Sequence, residues 1–349
     1  MAGLFLSAMP YPSAPAAAIA ALIPLLEPSR RIAITTHFNP DGDAMGSSLG
    51  LAHVLKAMGH GVQVVLPNPA PGNLHWMPGH AEAVDHERSR EASEKAIAEA
   101  DLVFCLDFNR MDRVHDLEPT LRQAPVKVLI DHHRDPDSIF NVAFSDISAS
   151  STCQMVHDVI MALGKGELID VDAATCLYAG IMTDSGSFRF PSTTAHTLRI
   201  AADLLKRGAV PHLIHGAIME DNTIDRLRLT GFALSERLRE VGGGEATIIA
   251  LSLADLARFH YVPGDTEGLV NYGLSVRGVR LSAFLAERKE VIKISLRSKG
   301  KLPVNEFLAR HFEGGGHANA AGGRSKASLE DTVAMLEKEL PAFLAKHPG

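Results

Sequence analysis

Apolar positions in the first part of the chain fall into short unbroken runs, separated by longer amphipathic segments. The runs predict strands over 31–36, 62–66, 102–106 and 126–130, and the segments between them predict helices over 43–58 and 92–100. Strands without polar alternation are buried on both faces, which is typical of a parallel sheet covered by helices. We therefore expect an α/β fold in which helices flank a parallel sheet.

Helical periodicity dominates after Asp146. It predicts helices over 151–163, 172–182, 194–207 and 224–241. Because Gly242-Gly243-Gly244 then interrupts the pattern, we assign 1–228 to a first domain, 229–244 to a linker and 245–349 to a smaller α/β domain. Within the smaller domain we expect strands over 247–253, 281–287 and 291–297, a helix over 303–311, a glycine loop and a closing helix over 329–344. A cleft between the two domains would receive a substrate.

The composition fits a globular protein of two domains. Of the 349 residues, 46% are hydrophobic and 21% are charged, and the net charge of −7 excludes a protein that grips nucleic acid through bulk positive charge. The three cysteines are widely spaced, so we expect no disulfide framework or zinc cluster, and a reducing cytoplasm fits best.

No apolar run reaches the roughly 20 residues of a membrane span. The alanine-rich stretch 16–26 predicts a helix packed on the first strand rather than a signal peptide.

Polar side chains that can bind a metal follow the first predicted strand. His37, Asp41 and Asp43 lie within seven residues, and Pro40 and Gly42 bend the loop that carries them. Carboxylate oxygens with one imidazole nitrogen suit Mn²⁺ or Mg²⁺ better than a thiophilic ion. The alternative is that Asp41 or Asp43 simply caps the helix that begins there.

Three further acidic or histidine motifs follow buried apolar segments. They are Asp107, the triplet Asp131-His132-His133, and Asp184. The carboxyl ends of parallel strands share one edge of the sheet, which is where ligands bind in such folds, so we expect these motifs to converge. Six side chains then suffice for two metals about 3.5–4 Å apart if one carboxylate bridges them. Asp107 is the natural bridge because it follows a central strand, and His133 would face the substrate.

These motifs together resemble the DHH phosphoesterase family with a C-terminal DHHA1 domain, and more narrowly its nanoRNase branch of bifunctional oligoribonuclease and pAp phosphatase proteins. The resemblance rests on His37-x-x-x-Asp41-x-Asp43, Asp107, Asp131-His132-His133, Asp184, Gly314-Gly315-Gly316-His317 and Ala320-Ala321-Gly322-Gly323. It implies two Mn²⁺ ions, with Mg²⁺ or Co²⁺ as substitutes. It also implies the ligand sets His37, Asp41 and Asp107 for one ion, and Asp43, Asp107, His132 and Asp184 for the other. His133 would contact the scissile phosphate, and Asp131 would orient the histidines.

The second domain has the charge and flexibility to bind an anion. Between Asp265 and Arg310 there are nine basic and five acidic residues, and Arg297 ends a predicted strand. Gly314, Gly315 and Gly316 would let backbone N–H groups converge on a phosphate, and His317 would hydrogen-bond it or lie against a base. The alternative is that Gly314 caps a helix and the remaining glycines form a hinge.

The expected function is a manganese-dependent phosphoesterase that uses water activated by two metals. It would hydrolyse short single-stranded RNA or DNA oligonucleotides to 5′-mononucleotides, or pAp to AMP and phosphate, or both. The alternatives are a cyclic-di-AMP or pApA phosphodiesterase of the same family, and a nucleotide-binding regulator, which should have lost metal ligands. We expect a cytoplasmic protein without a membrane partner, capable of forming a homodimer. The sequence leaves the roles of Arg113, Arg134 and His311 open.

Overall fold

The computed structural model describes residues 11–220 and 222–348, and the chain divides between residues 221 and 222 into two compact units. Each unit is built around one sheet of six strands within the described residues. Among these residues, none of the helices combines the length and apolar character that crossing a membrane requires.

The first unit contains a sheet whose neighbouring strands are all parallel. Its strands are β1 (Arg31–Thr35), β2 (Gly61–Leu66), β3 (Val84–Asp85), β4 (Leu102–Leu106), β5 (Lys127–Asp131) and β6 (Val142–Ser145). The order is β3-β2-β1-β4-β5-β6. Strands β2 and β3 are added on one side of β1 and strands β4 to β6 on the other, so the strand order reverses between β1 and β4. The predicted parallel sheet is confirmed, although β3 and the edge strand β6 were not predicted.

Helices cover both faces of this sheet. They are α1 (Ala16–Leu22), α2 (Gly42–Ala57), α3 (Arg90–Ala98), α4 (Glu118–Gln123), α5 (Thr152–Ala162), α6 (Val171–Asp184), α7 (Ala195–Lys206) and α8 (Pro211–Met219). Inward side chains such as Ile34 and Phe104 form one core with α2, α5 and α6, and Ala33 and Val103 form another with α3 and α4. Helix α1 contacts β6 more than β1, so the predicted packing of this helix on the first strand is wrong in its main contact.

Glycines allow α2 and α6 to approach each other closely. Gly42, Gly46 and Gly50 are spaced four residues apart, which aligns them on one face of α2. A Cβ atom at Gly46 would lie 2.5 Å from the carbonyl oxygen of Cys176, and one at Gly42 would overlap the side chain of Thr183. The first turn of α2 is therefore held directly against the last turn of α6.

A partly buried network of polar side chains joins α5 to α7. His196 Nε2 lies 2.9 Å from the buried Asp158, and His157 Nε2 lies 3.2 Å from Asp203. Asp203 also accepts a hydrogen bond of 2.6 Å from Arg207. Burial lowers the pKa of His157, but its interactions with Asp158 and Asp203 outweigh burial and raise that pKa above the usual 6.5. The charged form of His157 therefore stabilises the packing of these helices.

The second unit carries a mixed sheet in the order β11-β12-β10-β9-β8-β7, in which only the β8–β9 pair is parallel among the described strands. Its elements are α9 (Ile224–Glu236), β7 (Leu238–Val241), β8 (Ala246–Leu251), α10 (Leu253–Arg258), α11 (Leu269–Ser275), β9 (Leu281–Glu287), β10 (Ile292–Ser298), α12 (Val304–His311), β11 (Glu313–His317), β12 (Ala320–Ser325) and α13 (Leu329–Lys346).

Two glycine-rich segments differ from their predicted structures. The helix predicted to reach residue 241 ends at Glu236, and β7 follows it; Gly242, Gly243 and Gly244, with φ of 64°, 67° and 89°, make the turn that joins β7 to β8. The range 229–244 thus contains the end of α9, β7 and this turn. The predicted glycine loop at 314–317 is strand β11. A strand of glycines has no side-chain alternation, so its pattern gives no strand signal.

We predict that His157 makes the stability of the first unit depend on pH. Because its folded-state pKa is raised, the ion-pair contribution is complete below about pH 6.5 and is lost as pH rises through the folded-state value. Urea unfolding of the wild-type protein between pH 6 and pH 9 should therefore show a loss of stability that His157→Gln lacks. His212→Gln, at an exposed position of α8, is the control. Parallel pH profiles for the wild type and His157→Gln would contradict the assignment.

Candidate metal centre

The candidate metal centre lies where the strand order of the parallel sheet reverses. His37 follows β1, and Asp107 follows the neighbouring β4. Asp107 has a φ of 63°, a left-handed conformation that turns the chain sharply as it leaves the strand. At such a point the connections on the two sides diverge and leave a crevice at the carboxyl ends of the strands.

The carboxylate of Asp107 faces a histidine on each side. Its Oδ2 lies 3.4 Å from His37 Nε2, and its Oδ1 lies 3.5 Å from His132 Nε2. Only 2% of Asp107 is exposed. One buried carboxylate thus has its two oxygens directed at two separate groups of polar side chains.

Each group has the composition of a metal site. His37, Asp41 and Asp107 form the first, in which His37 Nε2 lies 3.8 Å from Asp41 Oδ1. Asp43, His132 and Asp184 form the second, in which His132 Nε2 lies 4.0 Å from Asp43 and 3.6 Å from Asp184. Oxygen and nitrogen atoms that bind one small cation at roughly 2.1 Å lie about 3–4 Å from one another. The spacing within both groups therefore suits a divalent cation.

The charges of these side chains are strongly coupled. Burial raises the pKa of Asp43, and the charges of Asp107 and Asp184 raise it further. Burial likewise raises the pKa of Asp184 to about 7. For Asp107 burial acts in the same direction, but contact with His37 and the charges of the histidines outweigh it and lower the pKa. Burial lowers the pKa of both His37 and His132, yet the carboxylates outweigh it and raise those values to about 10 and about 9. Carboxylates crowded in this way favour bound positive charge, and a nitrogen and oxygen donor set without sulfur fits Mn²⁺ or Mg²⁺.

Asp131 holds His133 in one orientation beside the two groups. Its Oδ1 lies 2.7 Å from His133 Nδ1, and its Oδ2 accepts a hydrogen bond of 3.0 Å from the backbone N–H of His133. Asp131 is fully buried at the end of β5, and His133 Nδ1 lies 3.9 Å from Asp107 Oδ1. The triplet therefore brings His132 into the second group and fixes His133 next to Asp107.

Asp41 also has the capping role that the sequence left open. Its Oδ1 accepts hydrogen bonds of 3.0 Å and 3.1 Å from the backbone N–H groups of Asp43 and Ala44, at the start of α2. Asp43 does not cap that helix. The cap fixes the position of Asp41 relative to His37, so the two interpretations of Asp41 are compatible.

The amino terminus of α5 holds two of the carboxylates, a feature that the sequence analysis missed. The backbone N–H groups of Thr152 and Cys153 donate hydrogen bonds of 2.6 Å and 2.9 Å to the two carboxylate oxygens of Asp43. Thr152 Oγ1 donates one of 2.9 Å to Asp107 Oδ1. The first N–H groups of a helix have no partner within the helix, so they bind carboxylates well. The sequence signal for this feature is the run Ser150-Ser151-Thr152 at a helix start, since such residues cap helices and leave N–H groups free for a carboxylate.

The substrate-binding residues predicted in the second unit lie on its sheet. Arg297 on β10 is paired with Ala320 on β12, and Ala320 is paired with His317 on β11, so these three positions form one row across three strands. Arg297 is half-buried, and burial lowers its pKa. The side chain of His317 lies outside the described part of the structure. Gly314, Gly315 and Gly316 contribute backbone to the same edge of the sheet.

Comparisons with known proteins match both units. Residues 31–181 match the N-terminal domain of the DHH family, and residues 245–346 match the DHHA1 domain. The chain is 35% identical over 302 residues to the bifunctional oligoribonuclease and PAP phosphatase NrnA of Thermus thermophilus, with 84% of each protein covered. This level of identity over most of both chains indicates common ancestry rather than a shared motif alone.

Two solved structures have the same fold. The crystal structure of an exopolyphosphatase-related protein from Bacteroides fragilis has a TM-score of 0.91 and 37% identity, and the match covers 94% of this chain and 96% of that one. The crystal structure of RecJ in complex with Mn²⁺ from Thermus thermophilus has a TM-score of 0.55 and 15% identity, over 95% of this chain and 55% of that one. The likeness to RecJ concerns the fold alone.

We predict that the hydroxyl of Thr152 contributes to metal binding through Asp107. Thr152→Val keeps the shape and the backbone N–H but removes the donor to Asp107 Oδ1. Losing a hydrogen bond that orients a ligand typically costs about 10–100-fold in metal affinity. Calorimetric titration of chelator-treated protein with Mn²⁺ should show this loss for Thr152→Val and near wild-type affinity for Thr152→Ser. Equal affinities for the two variants would exclude a role for the hydroxyl.

Proposed function

We propose that this chain, which belongs to the DHH family and carries a DHHA1 domain, is a metal-dependent phosphoesterase that acts on small nucleotide substrates. Its reactions would be the hydrolysis of short oligonucleotides to 5′-mononucleotides and of pAp to AMP and phosphate. The observation that carries the proposal is the buried carboxylate of Asp107, with one oxygen facing His37 and the other facing His132.

The two groups around Asp107 would hold two cations, for which Mn²⁺ is the first choice. His37, Asp41 and Asp107 would bind one, and Asp43, Asp107, His132 and Asp184 would bind the other. When bound, the cations supply positive charge to the phosphoryl oxygens and make water a stronger acid.

The remaining residues of the centre position the phosphate. His133, held by Asp131 and beside Asp107, is placed to donate a hydrogen bond to a non-bridging oxygen of the scissile phosphate. Asp131 is fully buried, and its contact with Nδ1 of His133 keeps the imidazole ring in one orientation. A donor fixed before the substrate arrives stabilises the charge that develops on the phosphoryl oxygens without reorganisation.

The second unit would bind the part of the substrate that does not react. Among the described residues, the guanidinium of Arg297 has one hydrogen bond, donated to the carbonyl oxygen of Leu296, so it retains donors for a phosphate. A Cβ atom at Gly315 would meet open space, so the backbone of β11 is accessible from that side. Arg297, Gly314, Gly315, Gly316 and His317 together would form this binding surface.

A substrate panel tests the proposed activity. Chelator-treated protein should be inactive, and Mn²⁺ should restore hydrolysis of pAp and of RNA dinucleotides to 24-mers, with the shortest oligomers cleaved fastest. Cyclic di-AMP, pApA and pyrophosphate complete the panel. A preference for cyclic di-AMP or pApA over pAp and the other short oligonucleotides would replace the proposal by the cyclic-dinucleotide alternative. Binding of nucleotides without turnover of any substrate would favour a regulator.

We predict that Asp107→Ala loses both metals, since Asp107 faces both groups. Asp131→Ala should retain them and lose about 10–100-fold in activity, the usual effect of a residue that only orients a ligand or a donor. Metal content measured by inductively coupled plasma mass spectrometry separates the two cases, and circular dichroism checks that both variants fold. Two retained ions in Asp107→Ala would exclude the bridging role.

A further inference from the structure

The segment that follows Asp184 has an unusual backbone. Gly186, Ser187 and Phe188 have φ values of 57°, 58° and 64°, so three successive residues are left-handed. Glycine adopts this conformation readily, but for a non-glycine residue it costs on the order of 1 kcal/mol or more. Such strain persists only where the surroundings impose it, and it is most common next to functional sites.

Hydrogen bonds to Ser185 impose this conformation. The carbonyl oxygen of Ser185 accepts hydrogen bonds of 3.0 Å from the backbone N–H groups of both Arg189 and Phe190. Its fully buried hydroxyl oxygen accepts another of 3.0 Å from the N–H of Phe188. Arg189 Nε donates a hydrogen bond of 2.7 Å to the carbonyl oxygen of Gly186. The segment 185–190 is therefore a closed turn fixed by its own hydrogen bonds.

The two phenylalanines of this turn have different environments. The ring of Phe188 packs against Tyr178, with 5.8 Å between ring centroids, and joins the core of the first unit. The ring of Phe190 lies over Gly186, where a Cβ atom would overlap three of the ring carbons. Yet 47% of Phe190 is exposed. The turn thus supports a flat aromatic ring from beneath and leaves much of it open to solvent.

The ring of Phe190 is also close to the metal centre along the chain. Gly186, on which it rests, is two residues beyond Asp184, and consecutive Cα atoms are about 3.8 Å apart. A single exposed apolar side chain is common on protein surfaces and needs no explanation by itself. A strained turn that begins directly after a candidate metal ligand and fixes such a ring is a different observation, because the strain needs a reason.

We propose that the ring of Phe190 stacks against a nucleobase of the substrate, namely the base of the nucleotide that carries the scissile phosphate. The proposal rests on the proposed function, since it assumes a nucleotide at the metal centre. Every base has an aromatic face, so stacking on a phenyl ring binds all bases and distinguishes few of them. It would therefore select nucleotides as a class over phosphate esters that lack a base.

The test compares a substrate with its counterpart that lacks the base. Phe190→Leu should lower kcat/KM for pAp, mainly through KM, and leave kcat/KM for ribose 3,5-bisphosphate unchanged. Stacking contributes roughly 1–3 kcal/mol per base, so we expect a loss of about tenfold on pAp. Phe190→Trp, which keeps an aromatic face, should retain wild-type activity within about threefold. Equal losses on both substrates, or no loss on either, would overturn the proposal.

A binding measurement gives a readout that does not need turnover. The chain has one tryptophan, Trp76, so Phe190→Trp adds a single new fluorophore. Titration with AMP should quench this added fluorescence, whereas ribose 5-phosphate should not. Absence of quenching by AMP in folded protein would count against stacking even if the kinetics agreed. Failure of the proposed function has a different signature, namely wild-type protein that hydrolyses neither bisphosphate with Mn²⁺ present.

Discussion

Mutual repulsion among buried carboxylates is the constraint on which the architecture of the first unit depends. Asp43, Asp107 and Asp184 come from three separate segments of the chain. The charge of Asp107 raises the pKa of both Asp43 and Asp184, and the charge of Asp184 raises that of Asp43 further. A fold that brings them together must hold them against this repulsion. The first unit does so in two ways: glycines let α2 and α6 touch, and the first N–H groups of α5 hold the carboxylate of Asp43 from the opposite side. The same charges that make the arrangement costly are those that a bound cation would neutralise.

The candidate centre was largely predictable because its residues follow a topological rule. His37, Asp107 and Asp131-His132-His133 each follow a strand, and parallel strands place such residues at one edge. No knowledge of distances was needed to expect that they meet. The sequence also indicated Asp184, although it ends a helix rather than a strand, because the apolar segment before it is buried.

Other features were not predictable because backbone atoms or distant contacts create them. The run Ser150-Ser151-Thr152 indicates a helix start, but residue types do not show that the N–H groups there meet Asp43, which lies 109 residues before Thr152. The pair His196 and Asp158 joins positions 38 residues apart, and nothing in local periodicity indicates that they meet. Strand β11 was mistaken for a loop because glycine is common in loops, whereas here it allows two strands to pack closely. A Cβ atom at Gly314 would lie 2.5 Å from the carbonyl oxygen of Gly322.

The pairing of these glycine strands raises the question of what keeps them aligned. Side chains normally define the alignment of a strand, since sliding by one residue exchanges its two faces, and glycines give no such penalty. Here the alignment is held at its ends. Arg324 Nε donates a hydrogen bond of 2.8 Å to Glu313 across the strands, and Asn319 in the connecting turn donates to Ser298 and to the carbonyl oxygen of Gly300. Slippage of β11 is therefore opposed at one end by the ion pairs of Glu313 with Arg324 and Lys326 and at the other end by Asn319, so the glycines between them take their alignment from residues that flank them.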